Sequence, residues 1–470
     1  MLQQLNLFDD YNNSITKRAV EQSCDIQKEN GVFYTDIEIA SAIVRFLNLD
    51  KHLKIFDPNC GVGNFLRAER QLGYQNLWGC DIDKQATSIC AQNDVAFHVY
   101  NTDTIWANAD AVLSRIGLHD KADAVIGNPP YAKLSLYNSG KANGSPLYSW
   151  TKKAGNNLFV ASMMQAFSYV KEGGVISLIV PKSLLYVNSY KLLRQYILRQ
   201  KTIVSIVDLG AIFKGVRGEQ IVLTMKNEAP AAGNVALYHY TKGCIQHVMD
   251  VGQHLFDDII YFFYNKNDLS LYKKFSRIGA RLEDLCTGYV GRGKSTDNDA
   301  VAGKDLRKFG LKVMPLPETG NQVFLQNIFS REAGVIASFG GDLKAGQTIT
   351  VITDGNKEKC KYILGMLHSR VINFYLTKYC YNSSSLTMHT DAKYLKKIPL
   401  ITNNELFDSV VSKVEELEHT PYLSALWRER QRELDQLFYT IYQLSGEERR
   451  YVDEEMTKIQ SKKWAYDYRQ

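Results

Sequence analysis

The sequence has few of the features that mark small secreted or membrane proteins. Its 470 residues include 8 cysteines, none of them in a Cys-x-x-Cys pair, and 10 prolines. This cysteine usage argues against a disulfide framework and against a structural zinc site. No run of about 18 apolar residues occurs, and the start, MLQQLNLFDD, lacks the basic and apolar segments of a signal peptide. We therefore expect a soluble, cytoplasmic protein with no metal site and no membrane partner.

The charge balance permits a polyanionic partner without requiring one. The chain has 56 Lys and Arg residues against 50 Asp and Glu, a net charge of +6. Hydrophobic residues make up 45% and charged residues 23%, as in folded globular proteins. A chain of 470 residues is too long for one ordinary core, so we expect two or three domains. These numbers exclude a disordered chain, a short peptide and a lone binding module.

Short apolar runs alternate with helical patterns between residues 31 and 235. Two helix-length stretches run from Ile37 to Leu47 and from Leu158 to Val170. The seven apolar runs are KIFDPNC, NLWGCDID, FHVYN, DAVIGNPP, VISLIVP, IVSIVDLG and QIVLTMK. Buried strands separated by helices are typical of a mostly parallel sheet that is covered on both faces. The sequence therefore predicts a doubly wound α/β fold for this half.

The second half of the chain has a different pattern. The alternation ends after Pro230, where a second domain is expected to begin. The segment from Lys361 to Leu376 predicts an amphipathic helix. From Asn404 onward, apolar residues recur at helical spacing among charges, so the C-terminus is predicted to be helical. These residues are Leu406, Val410, Val414, Leu417, Leu434, Leu437, Phe438 and Ile441.

A glycine turn follows the first predicted strand. Asp57 ends that strand, and Gly61 and Gly63 come before the next helical pattern. Glycine lets the backbone approach a ligand closely, and a tight strand-to-helix connection explains the turn equally well. The two following strands end at Asp81 and Asp103. Because parallel strands share their carboxyl edge, the sequence predicts three carboxylates side by side.

The same turn indicates the charge of its ligand. Leu66 stands where a dinucleotide-binding turn has its third glycine. A carboxylate at Asp57 would repel a pyrophosphate, whereas it suits a ligand with an ammonium group. These features favour S-adenosylmethionine over a nicotinamide dinucleotide.

The segment from Gly127 to Tyr131 joins a buried strand to a stiff polar turn. Pro129 and Pro130 fix the backbone and remove two N–H donors, so carbonyl groups there can point at a ligand. An ordinary loop is the alternative for this segment. Its combination with the upstream glycine turn favours a catalytic role over an ordinary loop.

These motifs resemble those of the S-adenosylmethionine-dependent N6-adenine DNA methyltransferases. The segment from Gly31 to Thr35 is similar to the family's methionine-binding motif and precedes the glycine turn and the tetrapeptide, Asn128-Pro129-Pro130-Tyr131. This order is similar to the gamma class, with TaqI-like and type IIG-like enzymes. The resemblance implies a Rossmann-like class I methyltransferase fold with a C-terminal α+β target-recognition domain and terminal helices. The implied domains are an N-terminal extension (1–30), the methyltransferase domain (31–235), the DNA target-recognition domain (236–402) and a helical segment (403–470).

The resemblance also implies roles for the residues around the glycine turn. Asp103 would bind the adenine amine of the cofactor, and Asp81 its ribose. Thr35 and Asp57 would bind the methionine end. The full set of cofactor-binding residues implied is Thr35, Asp57, Asn59, Gly61, Gly63, Phe65, Asp81, Ile82, Asp103 and Thr104.

In the implied reaction, the Asn128 side-chain oxygen and the Pro129 carbonyl accept the hydrogens of an adenine amine. The catalytic residues are then Asn128, Pro129, Pro130 and Tyr131. The base is flipped out of the duplex into a pocket formed by Tyr131, Phe159 and Phe213, although core packing explains Phe213 equally well. The implied partner is double-stranded DNA, a restriction endonuclease partner is compatible with the family, and we expect methylation without cleavage.

The segment from Gly288 to Ser295 matches the phosphate-loop pattern GxxxxGK[ST]. Acidic residues and turn formers follow Ser295, where a phosphate loop requires a helix. A flexible loop is the favoured interpretation, with Arg292 and Lys294 available to DNA and an ordinary solvated loop as the alternative.

Other functions stay open from the sequence alone. They are an N4-cytosine DNA methyltransferase, a protein-glutamine methyltransferase, a non-catalytic DNA-binding specificity protein and an NTPase that uses the segment from Gly288 to Ser295. Asn128 and the more than 200 residues after Pro230 favour the adenine-specific DNA enzyme.

Overall fold

A computed structural model describes residues 33–93, 97–134, 145–213, 216–230, 233–286, 288–401 and 405–467. The predicted N-terminal extension and the first two residues of the motif from Gly31 to Thr35 lie outside these ranges. The chain divides into two compact units, one ending at Phe262 and the other beginning at Phe263. Among the described residues, no helix has both the length and the apolar character needed to cross a bilayer.

The first unit is built on one sheet of nine strands in the order β3-β2-β1-β4-β5-β7-β6-β8-β9. Neighbours from β3 to β5 are parallel, and β7 runs antiparallel between β5 and β6. The strands are β1 (Lys54–Asp57), β2 (Asn76–Asp81), β3 (His98–Asn101), β4 (Ala122–Gly127), β5 (Val170–Pro181), β6 (Thr202–Gly210), β7 (Gln220–Lys226), β8 (Asn234–Thr241) and β9 (Cys244–Gly252).

Helices connect most of the parallel strands of this sheet. They are α1 (Ile37–Leu47), α2 (Asn64–Gln71), α3 (Lys84–Asn93), α4 (Ala109–Arg115), α5 (Pro146–Lys153), α6 (Leu158–Tyr169) and α7 (Lys191–Gln200). Side-chain caps fix several helix starts: Asp36 accepts from the Glu38 N–H, and Asn157 from the Phe159 N–H. Each cap satisfies a backbone donor that the helix leaves unpaired.

All seven apolar runs of the sequence form strands, β1 to β7, so the predicted doubly wound fold is confirmed. Their side chains explain why: β4 buries Ala124, Val125 and Ile126 completely or nearly so, and β7 is buried along all but its last residue. Strands covered on both faces read as continuous apolar runs, which is the pattern that predicted them.

The first unit extends further along the chain than the boundary predicted at residue 235. Strand β8 pairs in parallel with β6, and β9 pairs with β8, so both strands continue the same sheet. In the edge strand β9 only Val251 is buried, and the other residues are exposed or half-buried, so this strand gives little apolar signal. The compact unit ends at Phe262 instead.

The second unit has an antiparallel sheet of four strands in the order β10-β15-β13-β14. Its members are β10 (Val290–Arg292), β13 (Gln322–Gln326), β14 (Ala337–Phe339) and β15 (Ile349–Thr353), and a separate pair is formed by β11 (Leu306–Arg307) and β12 (Gly310–Leu311). The helices are α8 (Lys266–Ser276), α9 (Leu282–Leu285), α10 (Lys357–His368), α11 (Arg370–Tyr375), α12 (Ala392–Leu395), α13 (Phe407–His419), α14 (Ala425–Ile441) and α15 (Gly446–Asp467).

Helix α10 is buried on all sides over most of its length, whereas the sequence predicted an amphipathic helix. Every residue from Cys360 to His368 is buried. Lys361 is compatible with that burial because its ammonium group pairs with the buried Glu418 carboxylate. The helix ends at Ser369, whose hydroxyl caps α11, so the predicted single helix is two. The segment after residue 403 belongs to this same compact unit and is helical as predicted.

Candidate active site

The carboxyl ends of β1, β2, β3 and β4 meet at one edge of the large sheet, where the first unit has a cavity of about 340 Å³. Nine of the ten predicted cofactor residues line it: Thr35, Asp57, Asn59, Gly61, Phe65, Asp81, Ile82, Asp103 and Thr104. From the predicted catalytic tetrapeptide, Asn128 and Pro130 line it as well. The loops after four successive strands thus build one site.

Glycine is required twice in the turn after β1. Gly61 has φ +53° and Gly63 has φ +87°, both in the left-handed region. A Cβ at Gly61 would lie 2.6 Å from the Tyr34 ring, and one at Gly63 would meet the Cys90 sulfur of α3. Gly61 therefore lets the backbone face the cavity, whereas Gly63, which does not line the cavity, allows close packing of α2 against α3.

Asp57 is a buried carboxylate at the base of this cavity. Its Oδ1 accepts from the Asn59 N–H at 3.0 Å, and a Cβ at Gly127 would collide with that oxygen. Burial raises the pKa of Asp57 to about 8; the Asn59 N–H opposes this shift, and the charge of Asp81 adds to it. A cationic ligand group beside Asp57 would stabilise its ionised form.

Asp81 and Asp103 organise the rest of the cavity wall. Asp81 accepts from the Gly61 N–H at 2.9 Å with Oδ2 and from the Asp83 N–H at 2.9 Å with Oδ1. Burial raises the pKa of Asp81, while these backbone donors lower it. Asp103 Oδ1 accepts from two backbone N–H groups, those of Ile105 and Trp106, both at 3.0 Å. Backbone donors therefore hold both carboxylates in place.

This cavity suits a ligand with a positive charge and several hydroxyl groups. The Thr35 hydroxyl lines it, is buried, and has no hydrogen-bond partner among the described residues. A buried polar group without a partner is costly, so a ligand group that bonds to it would be stabilising. Ile82 stands beside the carboxylates with 59% of its surface exposed, an apolar face for a flat ring. These features fit S-adenosylmethionine.

The Asn128 side chain is fixed at the mouth of the cavity. Its amide Nδ2 donates to the Phe33 carbonyl at 2.7 Å, and its Oδ1 accepts from the Tyr131 hydroxyl at 2.8 Å. Because a carbonyl oxygen has two lone pairs, one acceptor position of Oδ1 stays available to a further donor. The first contact settles the amide orientation and points the oxygen away from the Phe33 backbone.

The two prolines and a helix cap hold the rest of this turn. Asn157, the cap of α6, donates from Nδ2 to the Tyr131 carbonyl at 2.7 Å. No described residue donates a hydrogen bond to the Pro129 carbonyl, and Pro130, which has no N–H, cannot use its nitrogen as a donor. The turn therefore holds the Asn128 side chain as a fixed acceptor in the cavity wall, while the Pro129 carbonyl has no described donor and Pro129 does not line the cavity.

Three aromatic rings pack around Tyr131, the hydrogen-bond partner of Asn128. The ring centroids of Tyr131 and Phe213 are 6.4 Å apart, and the centroid of the Phe33 ring lies 6.2 Å from each of them. Phe159 packs edge-on against Tyr131 at 6.3 Å and is fully buried. Its ring thus supports Tyr131 from behind and presents no face to a base, unlike the partly buried Tyr131 and Phe213.

The loop that carries Phe213 is anchored by a buried ion pair. Lys182, after β5, donates to Asp208 Oδ2 at 2.9 Å, and both side chains are almost fully buried. The other oxygen of Asp208 accepts from the Gly210 N–H at 3.1 Å, at the end of β6. These contacts fix the backbone just before Phe213.

Two supporting residues were missed in the sequence. Phe33 orients Asn128 through its carbonyl, and Ser162 donates to Asn59 Oδ1 at 2.5 Å. The partners are 95 and 103 residues apart. No local pattern signals such contacts, because they depend on how helices pack over the sheet.

The segment from Gly288 to Ser295 does not form a phosphate loop. Its central residues form β10, which pairs with β15, and no α-helix follows Ser295 directly. Lys294 is exposed, with its Nζ 5.4 Å from the centroid of the Tyr289 ring. Arg292 is exposed beside Asp391. The alternative of an NTPase therefore has no structural basis in these residues.

Comparison with known proteins agrees with this geometry. The family model for N-6 DNA methylases matches residues 9–282. The type II methyltransferase M.TthHB8I of Thermus thermophilus is 26% identical over 209 residues, which is 40% of this chain and 44% of the relative. The type II methyltransferase M.HincII of Haemophilus influenzae is 23% identical over 199 residues, 41% of this chain and 36% of the relative. The matches thus span less than half the length of these relatives.

A solved structure shows the same fold over nearly the whole chain. The type IIL restriction-modification enzyme MmeI, in complex with DNA, superposes with a TM-score of 0.53 at 12% identity, covering 98% of this chain and 78% of that one. The N-6 DNA methylase match covers more than half of the 470 residues, on the unit that carries the cavity and Asn128. The chain therefore belongs to the N-6 DNA methylase family.

Proposed function

We propose that this protein is a site-specific DNA methyltransferase that transfers the methyl group of S-adenosylmethionine to N6 of a flipped adenine in a short DNA sequence. One observation carries the proposal: the fixed acceptor Asn128 lines the same cavity as the carboxylates Asp57, Asp81 and Asp103. The family membership and the type II methyltransferase relatives support it.

The cavity residues would divide the cofactor among them. The Asp57 carboxylate and Thr35 hydroxyl suit the methionine end, with its ammonium group. Asp81 suits the ribose hydroxyls, and Asp103 with Ile82 suits the adenine ring. When bound, S-adenosylmethionine supplies a sulfonium methyl group that is already activated for transfer, so no metal ion has to be invoked.

The tetrapeptide would act on the nucleophile. An adenine amine is a poor nucleophile because its lone pair is shared with the ring. If Asn128 Oδ1 and the Pro129 carbonyl each accept one amine hydrogen, the nitrogen becomes more tetrahedral and its lone pair turns toward the cavity. Since both acceptors are fixed before the base arrives, little reorganisation is needed during the reaction.

The aromatic rings at and around Tyr131 suit a base that has left the helix. An amine inside a duplex cannot reach this cavity, so the adenine must be flipped out. Tyr131 and Phe213, both partly buried and 6.4 Å apart, offer faces that replace the lost stacking. Residues 263–401 would read the surrounding sequence, in the role of a target-recognition domain.

The relatives also suggest a biological context. M.TthHB8I and M.HincII are type II methyltransferases, and MmeI is a restriction-modification enzyme. We infer that this chain belongs to a restriction-modification or host-defence system, with a restriction endonuclease as a partner to be sought.

The test is incubation of the purified protein with isotopically labelled S-adenosylmethionine and plasmid DNA. We expect label in the DNA, N6-methyladenine after digestion to nucleosides, and one methylated sequence by single-molecule sequencing. N4-methylcytosine in the digest would show that cytosine, and not adenine, is the target base. Label found only in protein would overturn the DNA function.

A further inference from the structure

Arg292 is an exposed arginine in the second unit. It is the last residue of β10, the edge strand of the four-stranded sheet, and 55% of its side chain is exposed. Exposed arginines are usually mobile, because ordering the long side chain is entropically unfavourable. Arg292 is instead held by groups from two other segments of the chain.

Asn327 bonds to one edge of the Arg292 guanidinium. The Asn327 side-chain oxygen accepts from Nε and from Nη2, both at 3.2 Å, while its amide nitrogen donates to the Thr350 hydroxyl at 3.3 Å. This amide orientation follows from the hydrogens available. Thr350 has one hydroxyl hydrogen, which it donates to the Thr390 carbonyl at 2.9 Å, so toward Asn327 it acts as an acceptor.

The groups behind Asn327 are buried and joined in a chain. Thr350 and Thr390 are at most 1% exposed, and Asn327 is 8% exposed. The Thr390 hydroxyl donates to the Gln326 carbonyl at 2.8 Å and so ties the chain to β13. Buried polar groups are tolerated when each has a partner, and together they specify one arrangement. Here the series of buried hydrogen bonds ends at the exposed guanidinium of Arg292.

Asp391 restrains Arg292 from another side. Its Oδ1 lies 3.4 Å from Nη2 of Arg292, and its Oδ2 lies 3.3 Å from Nζ of Lys393. No described residue bonds to Nη1 of Arg292, and 55% of the side chain is exposed, so the N–H donors of Nη1 stay available. Tyr289 and Ile328, each 46% exposed, are near neighbours in sequence of Arg292 and Asn327.

We propose that Arg292 recognises a guanine in the DNA sequence that this protein methylates, and that Asn327 and Asp391 position it. The inference rests on the proposed DNA methyltransferase function. Guanine presents O6 and N7 as acceptors in the major groove, and arginine is the side chain that most often donates to them. Here Nη1, the guanidinium nitrogen without a described partner, is the donor.

A base edge fits this arrangement better than a phosphate. Attraction to a phosphate depends little on direction, and a flexible ammonium group such as that of Lys294 suffices. Recognition of a base edge depends on direction. The guanidinium of Arg292 has one, because it is held by Asn327, which buried Thr350 fixes in turn, and by the partly buried Asp391. Asp391 also reduces the local positive charge, which weakens attraction to phosphate but leaves the N–H donors of Nη1 unchanged.

The test compares methylated sites for the wild type, Arg292→Ala, Arg292→Lys and a control, Lys458→Ala. Lys458 is an exposed, ion-paired cation on α15 of the same unit. Each protein methylates a plasmid library with randomised target sequences, and single-molecule sequencing gives the rate for each sequence. We expect the wild-type site to contain a G·C pair and Arg292→Ala to lose about 5- to 150-fold of the discrimination for guanine at that position.

The variants separate a base contact from a phosphate contact. Arg292→Lys keeps the charge, so nonspecific DNA affinity should stay near that of the wild type while most of the discrimination is lost. Lys458→Ala should leave the sequence unchanged. The unfolding temperature and the affinity for S-adenosylmethionine report whether each variant is folded, because Arg292 does not line the cofactor cavity.

Three results would overturn the assignment. A wild-type site made only of A·T pairs gives Arg292 no guanine to read. A rate that falls equally for all sequences in Arg292→Ala indicates a phosphate contact. An unchanged profile removes Arg292 from the DNA interface. A wild type that methylates no DNA at all instead contradicts the proposed function, so the two failures are distinguishable.

Discussion

The candidate active site and the surroundings of Arg292 use charge in opposite ways. Asp57 and Asp81 are held by backbone N–H groups, and among the described residues no cation contributes to their pKa shifts. Arg292 is paired with a carboxylate and an amide. The first site holds a buried carboxyl group that a cationic ligand would ionise, whereas in the second site Asp391 offsets the charge of Arg292 while the direction of the guanidinium is kept. The comparison suggests that one site binds through charge and the other through geometry.

The largest effect is expected from removing the Asn128 side chain, a positioned acceptor in the active site. Asn128→Ala should lower kcat for DNA methylation by about 10²- to 10³-fold, because a fixed acceptor of the amine is lost. S-adenosylmethionine affinity should change by no more than a few fold, since the side chain acts on the amine. Single-turnover methylation measures the effect on the methyl-transfer rate, and calorimetry measures the affinity for S-adenosylmethionine.

A matched asparagine tests whether that effect is specific. Asn76 also donates its amide to a backbone carbonyl, that of His52 at 2.8 Å, and does not line the cavity. Asn76→Ala should retain wild-type kcat. Full activity in Asn128→Ala would remove this residue from the mechanism.

Charge in the active site gives the next largest effect. Burial raises the pKa of Asp57 to about 8, so below that pH the free protein holds this carboxyl mainly protonated. A cationic ligand favours the ionised form, so binding releases a proton, and affinity for S-adenosylmethionine should rise between pH 6 and pH 8. The limiting slope is about tenfold per pH unit. Asp57→Asn should remove this dependence and weaken binding by about 10- to 100-fold.

The same shift affects the stability of the ligand-free protein. The pKa of Asp57 is raised in the folded state, so its contribution to stability is complete below about pH 4 and is lost as the pH rises toward 8. The unfolding temperature of Asp57→Asn should therefore fall less than that of the wild type over this range. Asp120→Asn, at an exposed surface pair, is the control. Equal pH profiles for wild type and Asp57→Asn would contradict the shift.

A smaller effect is expected when Arg292 is kept and its support is removed. Asn327→Ala leaves the guanidinium in place without its bond to Nε and Nη2. Discrimination at the guanine position should fall by about 3- to 10-fold, less than in Arg292→Ala, because the lost interaction is one hydrogen-bonding group. Site mapping with the randomised library measures it. A loss as large as that of Arg292→Ala would mean that Asn327 itself contacts DNA.

The two sites also differ in how well the sequence predicted them. The cavity is formed by loops that follow successive strands, so Asp57, Asp81 and Asp103 could be placed together from strand order alone. The hydrogen bond between Asn128 and Phe33 could not be predicted in this way, because the two residues are 95 positions apart in the chain. Arg292 was singled out, but Asp391, 99 residues further on, was not. Local motifs reveal groups that bind ligands, whereas the groups that orient them depend on tertiary packing.

The boundary predicted at residue 235 falls before the observed end of the large sheet, because β8 and β9 continue it. β9 pairs with β8 from Cys244 to Gly252 with one register shift, yet only Val251 of β9 is buried. An exposed edge strand is stabilised by backbone hydrogen bonds, which any sequence can make, so composition gave no signal. Buried strands such as β4 and β7 could be predicted because their buried side chains are apolar and form continuous runs in the sequence.

The smallest expected effect concerns Lys294, which separates attraction from recognition next to Arg292. Its ammonium group is exposed and, in the described contacts, lies only near the Tyr289 ring, without a fixed direction. Lys294→Ala should weaken DNA binding by a few fold and lower the slope of log affinity against log salt by about 1, with the methylated sequence unchanged. Fluorescence anisotropy at several salt concentrations measures this, with Lys458→Ala as the control. A changed sequence preference would make Lys294 a reader of bases, and ATP hydrolysis by the wild type would restore the phosphate-loop interpretation of this segment.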